Sequence, residues 1–122
     1  MKMKKGYFDK NDDHWVIPIP DKHGKHLNLH KDRLHTAKDK NDRKKKLQFE
    51  VKKLVWGQQS DAPRKIIILE EIEWKSNKKT ELRMGYYTAS RTGHWWWGQF
   101  ALMIPKEDLD ELLRYGREKG VL

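Results

Sequence analysis

Residues 82–104 constrain the fold more than any other stretch. Leu82–Ala89 and His94–Ile104 read as strands, and Arg91-Thr92-Gly93 between them fits a three-residue hairpin loop with Gly93 in the left-handed position. Ser90 then lies opposite His94, Tyr87 opposite Trp97, and Tyr86 opposite Gly98, where an aromatic ring can cover bare backbone. One face of this hairpin carries Leu82, Met84, Tyr86, Trp96, Gly98, Phe100 and Leu102. It is almost wholly apolar and is expected to receive a helix. The other face carries Arg83, Gly85, Tyr87, Ala89, Trp95, Trp97 and Gln99.

That second face admits two readings. Aromatics beside an arginine, here Arg83, on a sheet face are the usual platform for stacking single-stranded bases, with Arg91 and His94 at the turn reaching phosphates. The alternative is a second core layer. If Glu73 pairs with Arg83, the preceding strand adds Ile67 and Leu69 to this face, and Leu47, Phe49 and Val51 join it under the N-terminal strands. Glu71 and Glu73 would then repel phosphate at one end. A cluster that is partly buried with one open edge satisfies both.

The rest of the chain supplies the remaining elements. Pro105 opens a helix whose first turns hold Glu107, Asp108, Asp110 and Glu111, and whose last turns hold Arg114, Arg117 and Lys119 before Gly120. That order complements the helix dipole. Leu109, Leu112, Leu113 and Gly116 give it one apolar face. Ile66–Trp74 is rich in β-branched residues and reads as a strand. Leu47–Trp56 alternates as another, with a bulge expected at Lys52-Lys53. Upstream, His14–Pro20 carries two prolines and reads as an edge strand, Asp21–Gly24 as a turn, and Lys25–His30 as a short strand. Residues 1–13 are expected to fray, and 31–46 to form a long basic loop. The architecture is α+β in one domain: an antiparallel β-meander or partly open barrel of about five to six strands with a C-terminal amphipathic helix.

Charge divides the chain in two. Residues 1–65 hold 18 Lys and Arg against 9 Asp and Glu, whereas residues 66–122 hold 9 of each, so the whole +9 lies in the first half. The excess concentrates between Lys31 and Lys53, around Arg43-Lys44-Lys45-Lys46. Such asymmetry points to an anionic partner, and phosphate contacts made this way weaken steeply with salt. There are no cysteines, which excludes disulfides and thiolate metal sites. No apolar run approaches the ~20 residues of a membrane span, and no apolar stretch follows the basic start as in a signal peptide. No membrane association and an intracellular, cytoplasmic location are the expectation.

Catalytic patterns are weak. His23, His26, His30 and His35 lie close in sequence but match no zinc spacing, and His26 and His30 on an extended chain would stand ~13 Å apart. Asp12-Asp13-His14 with Glu70, Glu71 and Glu73 is a thin basis for a metal-dependent nuclease. Nucleophile-elbow, P-loop and dinucleotide-binding glycine patterns are absent. No cofactor and no metal site are expected, and a metal-dependent nuclease using Asp13 stands as the third reading, behind the two binding roles.

Two resemblances concern layout. Lys5-Gly6-Tyr7-Phe8, a short strand and then Leu47-Gln48-Phe49-Glu50-Val51 looks like the cold-shock type of OB-fold. Ile66–Gly120, strands followed by an amphipathic helix, is similar in layout to small coactivator-type single-strand-binding domains. Both imply binding of single-stranded nucleic acid. The leading expectation is therefore a small nucleic-acid-binding module favouring single-stranded DNA or RNA. Its contacts would come from Lys31, Arg33, Arg43, Lys44, Lys45, Lys46, Arg83, Tyr87, Arg91, His94, Trp95 and Trp97. The alternative is an accessory protein that dimerises through its aromatic face.

Overall fold

The computed structural model describes residues 3–29, 34–38 and 46–122. Among these, the strands are β1 (Lys5–Asp9), β2 (Val16–Pro20), β3 (His26–Asn28), β4 (Leu34–Lys38), β5 (Lys46–Gln58), β6 (Lys65–Trp74), β7 (Thr80–Thr88) and β8 (Trp96–Trp97), followed by the helix α1 (Lys106–Glu118). β5 to β8 run as an antiparallel meander. β1 and β4 pair end to end along the side of β5 that β6 leaves open, at Lys53–Gly57 and Lys46–Glu50 respectively. β2 and β3 form a separate two-stranded hairpin. The fold is α+β, as the sequence pattern implies, and the sheet does not close into a barrel.

The sheet is sandwiched. On one face the β2–β3 hairpin contributes Ile17, Ile19, Leu27 and Leu29, with Trp15 before it, to a cluster with Val51, Leu54, Trp56, Ile66, Ile68, Ile72 and Tyr87. The prolines of β2 point Pro18 and Pro20 outward, so their missing N–H groups and small rings cost the core nothing. On the other face Leu112 and Val121 pack with Val55, Ile67, Leu69, Tyr86 and Met3. α1 begins after Pro105 and is closed by Gly120 at φ 75. Lys5 pairs with Glu111 at 2.8 Å, and the buried Asp108 carboxylate accepts the Ser60 N–H at 2.8 Å. These two contacts fix the helix across β1 and the β5–β6 loop.

Several sequence expectations hold in detail. Tyr87 pairs with Trp97 and Thr88 with Trp96, and Gly93 has φ 84. Gly98 donates its N–H to Tyr86 O, and a Cβ at Gly98 would collide with the Tyr86 ring, so glycine is required where that aromatic crosses. The β5 bulge falls between Val51 and Lys53.

Others are corrected. Residues 5–9 do not fray: they form β1, whose Gly6 lies opposite Trp56 with its Cα against the Trp56 indole. Residues 34–38 form a strand on β5 rather than part of a loop. The strand expected over His94–Ile104 shortens to Trp96–Trp97; beyond Gly98 the chain bends at Phe100, and Leu102 and Ile104 pack on the helix side. Trp96 is half-buried and belongs to neither core cluster. The apolar hairpin face is covered only in part, since Leu82, Met84 and Phe100 are exposed. Glu73 pairs with Thr80, and Arg83 pairs with Glu70. The turn with Lys78 at φ 63 sets this register, and it moves Ile67 and Leu69 to the helix side and Ile66 and Ile68 to the hairpin side.

Candidate nucleic-acid interface

Two tight turns meet at one corner of the molecule. In the β2–β3 turn the buried Asp21 carboxylate accepts N–H bonds from His23 at 2.7 Å and Lys25 at 3.0 Å. In the β7–β8 turn Thr88 and Thr92 hydroxyls accept the N–H groups of Ser90 and His94. The turns are joined by Lys22 N–H to Gly93 O at 3.0 Å, by Lys22 Nζ to Ser90 O at 3.1 Å, and by Trp95 Nε1 to Lys25 O at 3.1 Å. The His23 and His94 rings stack with centroids 4.2 Å apart, and Asp21 lies 3.8 Å from His94 Nδ1. Burial alone would raise the Asp21 pKa. The bonds from Lys25 and His23 and the field of the two imidazoles outweigh it and hold the carboxyl below its ordinary value. The corner therefore presents Lys22, His23, Lys25, Arg91 and His94 at the surface beside a half-buried Trp95.

A row of side chains leads from this corner across the hairpin-side face. Tyr87 meets Trp97 edge to face at 5.0 Å. The Arg83 guanidinium lies 4.4 Å over Trp97 and 5.4 Å over Phe49, and pairs with Glu70 at 3.1 Å. Phe49 meets Trp74 edge to face at 5.2 Å. The row ends near the start of β5, where Lys46 stands opposite Lys38. Trp74, Trp95 and Trp97 are half-buried, while Phe49 and Tyr87 are buried. The hairpin thus covers one end of this face and leaves the other partly open.

The expected site residues divide accordingly. Arg91, His94, Trp95, Trp97 and Arg83 belong to the corner and the row. Tyr87 is a core residue that supports Trp97 from below, and it offers no free face. Lys46 takes its place in β5, whereas Lys31, Arg33, Arg43, Lys44 and Lys45 lie outside the described residues. The expectation that Glu71 and Glu73 share the aromatic face is corrected by the β6–β7 register. Both lie on the helix side, where Glu73 meets Lys52 at 3.7 Å and Lys78 at 4.0 Å. Glu70 does share the aromatic face, paired with Arg83. Lys22, Lys25 and Trp74 were not singled out from sequence. The Asp21–Gly24 turn signal could have raised the lysines, but Trp74 follows only from the register.

Among the described residues no three His, Asp or Glu side chains are grouped to hold a metal ion. Asp12 is engaged in accepting the Asp9 N–H. No described helix is long and apolar enough to cross a membrane. Comparison with protein-family models, curated proteins and solved structures found no match to this chain.

Proposed function

We propose that this chain binds single-stranded nucleic acid along the open end of its hairpin-side face. The observation that carries the reading is the row Trp97, Arg83, Phe49 and Trp74, which joins a cationic corner to the basic end of β5. Half-exposed indoles give bases a stacking surface worth ~1–3 kcal/mol per base, with little demand on sequence. Arg83 neutralises Glu70 on that surface and leaves the row without net charge. Phosphates would be met at the corner end by Arg91, Lys25 and the two histidines. Lys31, Arg33, Arg43, Lys44, Lys45 and Lys46 are proposed as further phosphate contacts on the sequence alone.

The test is a tryptophan-fluorescence titration with a homopolymeric single strand and with a duplex, each at two salt concentrations. The reading expects quenching that is stronger for the single strand and binding that falls with salt. Arg91→Glu and a Lys44, Lys45, Lys46→Glu triple variant should each weaken binding and flatten its salt slope. Absence of binding at low salt overturns the reading, and binding without quenching removes the row from it.

A further inference from the structure

Among the described residues, the outer edge of β7 has no strand partner from Thr80 to Met84. Among the described residues, β8 pairs with β7 only at Tyr87 and Thr88, and Gly98 extends the ladder by one bond to Tyr86. The chain then leaves the edge: Lys65 Nζ holds Met103 O at 2.7 Å, and Leu102 and Ile104 pack on the helix side. We propose that this edge pairs with β7 of a second copy, giving a two-fold dimer in which Leu82 lies opposite Leu82 of the second copy.

Backbone direction supports the pairing. Tyr86 O accepts from Gly98, so it points outward, whereas Ala89 N–H points inward to Arg64 O. In an antiparallel strand a residue's N–H and C=O point the same way and alternate along the chain. Thr80, Leu82 and Met84 therefore turn their backbone groups toward the open edge, while Glu81 and Arg83 turn theirs toward β6. A two-fold axis at Leu82 makes Leu82 with its mate, and Thr80 with Met84, hydrogen-bonded pairs.

Charge favours that register over the two beside it. With Leu82 on the axis, Glu81 lies opposite the partner's Arg83, and Arg83 opposite the partner's Glu81. Moving the axis by one residue in either direction opposes Glu81 to Glu81 or Arg83 to Arg83, which like charges disfavour. On the helix side the same register joins the exposed Leu82 and Met84 of both copies, which are 51% and 40% exposed in one chain. Thr80–Met84 contains no proline or lysine, and the β6–β7 ladder runs without a bulge; the two charges in this segment are the ones this register pairs. By contrast the small β2 strand carries two prolines.

The experiment uses the full chain without nucleic acid, so its outcome is independent of the proposal above. Sedimentation across a concentration series should show a monomer–dimer equilibrium. The chain has no cysteine, so single-cysteine variants report the register directly. Opposed residues of a hydrogen-bonded pair lie ~5.5 Å apart at Cα, within disulfide reach. Leu82→Cys should cross-link on mild oxidation. Met84→Cys should not, because its two copies would stand ~13 Å apart. Glu81→Arg should weaken the dimer about tenfold with an unchanged circular-dichroism spectrum. A monomer at every concentration overturns the proposal. So does a dimer that Glu81→Arg leaves intact, or one that cross-links at Met84→Cys and not at Leu82→Cys.

Discussion

Both faces of the sheet are covered in part, and by different chemistry. On the helix side a single amphipathic helix seats Leu112, fully buried, on Val55, Ile67 and Leu69, with ion pairs confined to its rim. On the hairpin side the β2–β3 hairpin and Trp15 before it cover a mixed layer of Val51, Leu54, Ile66, Ile68 and Ile72 with Phe49, Trp56 and Tyr87, and an ion pair, Arg83 with Glu70, lies beside that layer. The single helix leaves Leu82 and Met84 at the far end of β7 exposed. A five-residue strand with two prolines supplies contact only on alternate residues, so the hairpin leaves Trp74, Trp95 and Trp97 half-open. What each face leaves uncovered differs in kind: aliphatic side chains on the helix side, indoles and an ion pair on the hairpin side.

If the hairpin is a true core layer, Trp15→Ala should be the most damaging single truncation on that side. Trp15 is 1% exposed, stacks on Phe8 and donates Nε1 to Asp9 O at 3.0 Å. Its loss should cost about 4 kcal/mol in denaturant unfolding, against about 3 kcal/mol for Leu112→Ala on the helix side. A cost under about 1 kcal/mol for Trp15→Ala would reduce the hairpin to an appended flap and break the symmetry of the comparison.

The ion pair sharpens it next. Glu70 is 5% exposed, and Arg83 reaches solvent with about a quarter of its side chain. Glu70→Gln leaves the guanidinium between two rings without its counter-charge. The expected cost is about 2 kcal/mol, below the ~3–5 kcal/mol of a fully buried pair because solvent reaches Arg83. Unfolding measured at low and high salt separates this from packing loss: the wild type and the variant should converge as salt rises if the arginine is hydrated in the variant.

These contrasts show where the sequence was informative. The β7–β8 register was readable because Arg91-Thr92-Gly93 is a turn with one good geometry and because Gly98 must lie under Tyr86. The helix was readable because its caps, charge order and apolar stripe agree. The β6–β7 register was not. Ile66–Leu69 is buried on both faces, so it carries no alternation from which a face could be read. Glu70, Glu71 and Glu73 all offer a partner to Arg83, so charge does not choose among them; the Lys78 turn does. β1 was missed for a different reason. Its stability comes from pairing with β5, nearly fifty residues away, and its own composition is charged. The candidate site was legible as residue types in Arg83, Trp95 and Trp97. Its position was not, because the corner depends on a contact between two turns seventy residues apart.

That corner yields the smallest expected effect and the most specific. Asp21 joins the hairpin layer to the β7–β8 turn, and its carboxyl titrates below the ordinary value of 3.8 because N–H bonds and imidazoles outweigh burial. A carboxyl whose pKa is lower folded than unfolded adds stability that is complete above the ordinary value. The contribution drains away as pH falls through the lowered one. Asp21→Asn removes the charge but keeps the shape. It should be less stable than wild type at about pH 5, and the difference between the two should close as pH falls toward about pH 2. Unfolding midpoints followed at both pH values read this difference directly, and the other carboxylates cancel because both proteins carry them. Trp95 adds a local readout, since its Nε1 bond to Lys25 O spans the same two turns. If the Trp95 indole N–H resonance shifts at low pH in the wild type before global unfolding, the corner opens ahead of the core. A gap between wild type and Asp21→Asn that stays constant across this range would mean that the carboxylate is not what ties the hairpin to the open end of the sheet.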